Sequence, residues 1–190
     1  MTARLPARVL PLLLGAALLV SAAAPLAADE PPSFSKFEAK SQNGRFVAVV
    51  EPADAKREKW KLTVFELVEK KSGTERVEKW SCPYRYSGYE GALVSDDGKS
   101  VVYLEVWFQA DRSVIDFYRE GKLVAQVKGA DVAFDRSKTK KTVSHELWLL
   151  DGGATYGKSA EIDAEGRLVL RTIDGEVQRY DTATGAPVKE

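Results

Sequence analysis

Residues 92–107, ALVSDDGKSVVYLEVW, and residues 114–127, VIDFYREGKLVAQV, decide the fold. In both, short apolar runs flank a corner, Asp97-Gly98 in the first and Glu120-Gly121 in the second. Glycine accepts the positive φ that a tight hairpin demands, and an Asp or Asn before it closes the turn. The runs themselves are rich in Val, Leu, Tyr and Phe, which suit a pleated, covered surface. Together they read as successive antiparallel hairpins.

The same corner recurs outward in both directions. Asn43-Gly44-Arg45 and Glu165-Gly166-Arg167 each precede an apolar run, and Asp174-Gly175-Glu176 is a looser copy. Ala92–Asp96 enters one corner as Ala160–Ala164 enters another. Gly44, Gly98 and Gly166 lie 54 and 68 residues apart, too unevenly for a strict repeat array. Strands are predicted at Arg45–Glu51, Lys61–Glu69, Glu75–Ser81, Gly91–Ser95, Ser100–Phe108 and Ser113–Arg119. They continue at Leu123–Lys128, Asp131–Phe134, Glu146–Leu150, Ser159–Asp163, Leu168–Ile173 and Glu176–Asp181. Leu62, Phe65 and Val68 also fit helical spacing, but the short length and the alternation of LTVFELVEK favour a strand. The expected class is all-β, built of antiparallel β-meander units.

The first 28 residues belong to a different kind of segment. Arg4 and Arg8 precede the apolar run VLPLLLGAALLV (Val9–Val20), and small residues follow up to Ala27-Ala28. That order predicts a secretory signal peptide over residues 1–28, hence export to a periplasmic or extracellular compartment. Residues 29–36 are a Pro-rich lead-in, and residues 37–190 are expected to form one all-β domain. No later stretch is long and apolar enough to span a membrane as a helix. Without Arg4 and Arg8 the 28 basic residues fall to 26, against 28 acidic ones. Such a balance lacks the basic field that nucleic-acid binding uses. Cys82 is the single cysteine, so no internal disulfide forms, and its place between Trp80 and Pro83 predicts burial.

The strand pair at 92–127 resembles the blade strands of secreted bacterial β-propeller-like proteins. The closing YDTATGAPV (Tyr180–Val188) resembles the Asp-x-x-Thr-Gly turn that ends many WD-type and quinoprotein-type blades. More narrowly, residues 79–188 resemble small exported bacterial proteins of unassigned activity. Those share a VSDDG…VV strand pair, an I-Y-x-x-x-G-K-L-V hairpin, a Trp-containing strand and a closing G-x-L-x-L strand. Here the last two correspond to Trp148 in ELWLL and to Gly166–Leu170. The resemblance implies blade-like units, but too few for a closed propeller, which normally needs at least four. An open stack, a twisted sandwich or closure by self-association is therefore expected. It implies no quinone or other cofactor.

Residues with chemical potential are few. His145 is the only histidine, and no Cys or His pair stands at ligand spacing, so neither a metal centre nor a catalytic residue is assigned. Asp96-Asp97-Gly98 and Asp151-Gly152-Gly153 lack the spacing of a calcium loop and read as turns. The basic stretch Asp135–Thr142 reads as a solvated loop. Aromatic residues are the better lead. Tyr84, Tyr86 and Tyr89 in PYRYSGY, with Trp107 and near Arg85 and Arg112, form the candidate ligand-binding set, by stacking and cation–π contact. Trp60, Trp80 and Trp148 are assigned to packing. The expectation is a non-catalytic exported module that contacts a protein or glycan. The alternatives are an envelope hydrolase with carboxylates from separate loops and a self-assembling structural subunit.

Overall fold

The computed structural model of the chain describes residues 34–89, 91–143, 145–151 and 156–189. The predicted signal peptide, most of the lead-in, and Gly152 and Gly153 lie outside them. The described chain is all-β, with no helix longer than the single turn Tyr156–Ser159. Its first sheet has the order β1 (Phe37–Lys40), β2 (Phe46–Pro52), β3 (Trp60–Lys70) and β4 (Gly73–Tyr84). The second runs β5 (Ala92–Val94), β6 (Ser100–Leu104), β7 (Ser113–Arg119) and β8 (Lys122–Lys128). A two-stranded piece pairs β9 (Lys140–Lys141) with β10 (Glu146–Leu147). The third main sheet holds β11 (Ala160–Ile162), β12 (Arg167–Arg171) and β13 (Val177–Asp181). All pairings are antiparallel, and none of the four sheets closes into a barrel or propeller.

Strand periodicity explains how the sheets stack. Successive side chains point to opposite faces. In β6, Val101 and Tyr103 join a core shared with the first sheet, while Val102 and Leu104 join a core shared with the third. Likewise Val94 and Tyr118 face the first sheet, and Ile115 and Phe117 face the third. The inner strands of the second sheet, β6 and β7, are therefore covered on both faces, which is why they read as near-continuous apolar text. Phe46, Ala48, Val50, Leu62 and Val64 complete the first core; Leu168, Leu170, Ile162 and Trp148 complete the second. Each large apolar side chain buried in this way contributes about 1.5–3 kcal/mol.

The glycine corners are hydrogen-bonded by one recurring device. Ser41 Oγ donates to Asn43 Oδ1 at 2.8 Å, and Asn43 Oδ1 accepts the Arg45 N–H at 2.9 Å. Ser95 and Asp97 repeat this with the Lys99 N–H, and Thr172 and Asp174 repeat it with the Glu176 N–H. At the third-sheet corner Asp163 takes both parts, accepting from the N–H groups of Glu165 and Arg167. The first two corners also touch, Asn43 donating from its backbone and its amide to Asp96.

Several stretches differ from expectation. β1 and β9 are not among the expected strands, and Ser100–Phe108 is strand only as far as Leu104, with Trp107 making an isolated bridge to Leu147. Asp131–Phe134 is not a strand: a 3-10 turn at Gly129–Asp131 leads into irregular chain. Leu149 makes only an isolated bridge to Thr172, beyond the two-residue β10. Lys61–Glu69 is strand throughout, inside β3.

Candidate functional site

The connections opposite the Asn43, Asp97 and Glu165 corners, which include residues 53–59, 85–89 and 105–112, are longer and irregular. Two of them, with the start of β7, bring together a set of polar and aromatic side chains. β4 ends at Tyr84, but its alternation continues through the next residues. Cys82, Tyr84 and Tyr86 turn inward and are buried, whereas Arg85, Ser87 and Tyr89 are only part-buried. Tyr84 donates to the Gly91 carbonyl at 2.9 Å, and Tyr86 packs edge-on against Trp60. Both belong to the first core and are largely buried, Tyr84 also bordering a cleft of about 590 Å³ with Trp60 and Lys61. Tyr89 and Trp107 do come together, ring centroids 5.4 Å apart and nearly perpendicular. His145 completes the row, stacked on Trp107 at 4.4 Å with 22° between the planes. Arg112 is exposed and stands apart from this group.

Beneath the aromatic row lies a charge network that involves two acids absent from the candidate set. Glu105 (3 % exposed) follows β6, and Asp116 (0 %) sits within β7. One guanidinium serves both: Arg85 Nη2 is 3.4 Å from Glu105 Oε2, and Nη1 is 3.7 Å from Asp116 Oδ2. Arg85 also donates to the Ser113 carbonyl at 2.7 Å and lies over the Tyr103 ring. Tyr103 donates to Glu105 Oε2 at 2.8 Å, and its hydroxyl is 2.8 Å from Ser87 Oγ. Burial first, and then the Glu105 charge, push the Tyr103 phenol well above its ordinary range. Burial likewise pushes Tyr118, whose hydroxyl accepts the Arg85 N–H, up to about 12. Asp116 Oδ1 accepts from Ser113 Oγ and from Gln126 Nε2, while Oδ2 makes no hydrogen bond among the described residues.

This arrangement fixes positions. Two carboxylates removed from water need compensating charge and donors, and Arg85, Tyr103, Ser113 and Gln126 supply them. Glycoside hydrolases leave a gap between two carboxyl groups for substrate or water; here a guanidinium stands between Glu105 and Asp116. The network also anchors the aromatic row directly, since the Trp107 N–H points to Glu105 Oε1 at 3.5 Å and the Trp148 indole donates to the Glu105 carbonyl at 2.9 Å. The indole Nε1 of Trp107 is shut away from water and has no acceptor among the described residues. Next to His145 a cleft of about 390 Å³ opens, bordered by Phe108, Lys141, Val143 and Glu146.

Elsewhere, Asp96, Asp97, Asp163, Glu165 and Asp181 line a shallow cleft with Arg119. Asp97, Asp163 and Asp181 accept turn hydrogen bonds there. Among the described residues no three His, Cys, Asp or Glu side chains are grouped to hold a metal ion. Cys82 is buried, and burial pushes its thiol up to about 11. Trp60 and Trp148 are core residues, and Trp80 packs on the first core while donating to the Gly98 carbonyl. Compared with known proteins, the chain matches no family model and no curated protein.

Proposed function

We propose that this chain is an exported, non-catalytic β-sheet module, of the blade-repeat kind whose corners it resembles, that binds a glycan or protein partner through Tyr89, Trp107 and His145. The observation that carries the reading is the part-buried Trp107 ring, braced by Tyr89 and His145 and, through its backbone N–H, by Glu105. Trp and Tyr also dominate binding energy at interfaces, most of all when held rigid by a supporting layer. A sugar ring suits the row best, because its apolar face stacks on aromatic rings.

Retention on purified peptidoglycan sacculi, and on envelope protein as a second arm, tests the proposal. Trp107→Ala should lower retention at least tenfold on one of them, with circular dichroism and melting temperature close to the parent. Tyr89→Ala should fall in the same direction. Parent-like retention of both variants on both materials would remove the site.

A further inference from the structure

The outermost strand of the first sheet, β4, is twelve residues long and has no strand on its far side among the described residues. Residues 73–79 are exposed throughout. Unpaired edges invite pairing with another chain, and proteins usually guard them with charge. Two other outer edges, β13 and β8, are guarded by other means. The chain's own tail covers part of β13, through the Tyr180–Pro187 bridge and the Val188 N–H to Arg179 carbonyl bond at 2.8 Å. β8 begins and ends in lysine, so end-to-end antiparallel pairing with a copy of itself sets Lys122 against Lys128. β4 is guarded differently. Its exposed segment reads Glu75-Arg76-Val77-Glu78-Lys79, which is self-complementary in charge about Val77.

We propose that the protein self-associates through β4 as a two-fold antiparallel dimer centred on Val77, joining the first sheets of two copies into one. In that register Arg76 faces Glu78 of the second copy, Glu75 faces its Lys79, and Val77, 39 % exposed, meets its own counterpart. Each attraction occurs twice by symmetry. Backbone parity agrees with the register as far as Glu78; beyond it a bulge opposite Val64 and Phe65 interrupts the alternation of β4. The two-residue connection between Lys70 and Gly73 makes them a hydrogen-bonded pair, and alternation makes Glu66 and Val77 another. Arg76 and Glu78 therefore direct their amides and carbonyls outward, and these are the residues that exchange bonds across the dyad. Internal ion pairs hold the charged side chains in place: Arg76 with Glu38 at 2.8 Å, Lys79 with Glu66 at 3.0 Å, and Glu75 with Lys70. Glu78 of the second copy adds to the first of these groups.

Sedimentation equilibrium on protein purified from cells expressing the full 190-residue chain tests the dimer through a charge exchange. Glu78→Lys and Arg76→Glu each place like charges across the dyad twice and should weaken self-association at least tenfold. An equimolar mixture of the two variants restores both attractions and should return dimerisation to the parent level. Arg76→Glu also loses its bond to Glu38; if that variant fails to fold, Glu78→Lys and a cysteine test decide. On mild oxidation with diamide, Val77→Cys should form a covalent dimer, because residues facing each other at a non-hydrogen-bonded position lie about 4.5 Å apart between Cα atoms, within disulfide reach. Thr74→Cys, which faces Trp80 in this register, should not. A parent that stays monomeric at millimolar concentration, a Glu78→Lys dimer as tight as the parent, or equal cross-linking of both cysteines would overturn the proposal.

Discussion

Gly98 offers the sharpest test of how the corners and cores are coupled. Gly44, Gly98 and Gly166 occupy equivalent corners with φ of 71°, 68° and 76°. Replacing any of them with alanine forces a Cβ into the left-handed region, at about 1–2 kcal/mol. Their surroundings differ sharply. A Cβ on Gly44 or Gly166 meets nothing within 4 Å, whereas one on Gly98 falls 2.2 Å from Cδ1 and 2.5 Å from Cε1 of Phe46. Phe46 is only 5 % exposed, packed in the first core. Shifting a ring in a filled core adds about 1–3 kcal/mol. Gly98→Ala should therefore cost about 2–5 kcal/mol, against about 1–2 for the other two. At about 2–4 °C per kcal/mol for a domain of this size, the excess is on the order of 2–12 °C in melting temperature. Urea and thermal unfolding of the three variants measure it, and Phe46→Leu supplies the cycle that isolates the contact. Equal losses at all three corners would refute the reasoning. So would an undiminished Gly98→Ala penalty in the Phe46→Leu background.

Two further outcomes follow from buried charge and from the turn carboxylates. Arg85→Met strands Glu105 and Asp116 without their shared cation and should destabilise by about 3–5 kcal/mol; urea unfolding within 1 kcal/mol of the parent would show that the guanidinium is dispensable. At Asp97, burial acts to raise the carboxyl, but bonds from Ser95 Oγ and the Lys99 N–H outweigh it and hold it below its ordinary value of 3.8. A lowered folded value means stability that is present above the unfolded value and lost as pH falls through the folded one. Asp97→Asn, which copies Asn43 in the first corner, should fold and lose less melting temperature between pH 6 and pH 3 than the parent, by about 1–3 °C, the scale of one hydrogen-bonded turn. Identical acid losses would count against that role.

The corners were legible because their chemistry is local: a glycine after Asn, Asp or Glu dictates its own turn whatever packs around it. Gly121 and Gly175 bear this out as well, with φ of 84° and 90°. Asp131–Phe134 misled because Val132 and Phe134 are apolar for a different reason, packing into the second core from an irregular segment. There the chain is held by tertiary contacts, the Gly129 N–H to the Arg112 carbonyl and the Ala130 N–H to the Ala110 carbonyl. At the candidate site, parity was the unread signal. In PYRYSGY the even residues Tyr84 and Tyr86 continue the buried face of β4, and the odd residues Arg85, Ser87 and Tyr89 continue its other face. Glu105 and Asp116 were visible too, each a lone acid in apolar strand text, VVYLEVW and VIDFY. What the sequence lacked was the pairing: nothing local says that Arg85 crosses from the first sheet to both.

The two ends of the sheet stack therefore differ in what they leave free to vary. At the Asn43, Asp97 and Glu165 corners nearly every polar side chain closes its own turn, and the corners bond to one another, as Asn43 does to Asp96. Replacing a residue there disturbs a strand register. At the opposite end residues 85–89 and 105–112 are irregular, and the ion pairs of Arg85 with Glu105 and Asp116 tie them to each other and to β7. Loops borne on a rigid scaffold are where binding residues concentrate, and a buried charge network adds rigidity without fixing the backbone path. Trp107 gains from both conditions: it sits two residues from Glu105, whose carboxylate is held by Tyr103, Ser87 and Arg85. Such a ring presents its surface to a partner with little ordering left to do. Loss of Arg85 should then weaken retention on the partner even with Trp107 intact. If Arg85→Met, still folded, bound as tightly as the parent, the network would be structural alone and the aromatic row would owe it nothing.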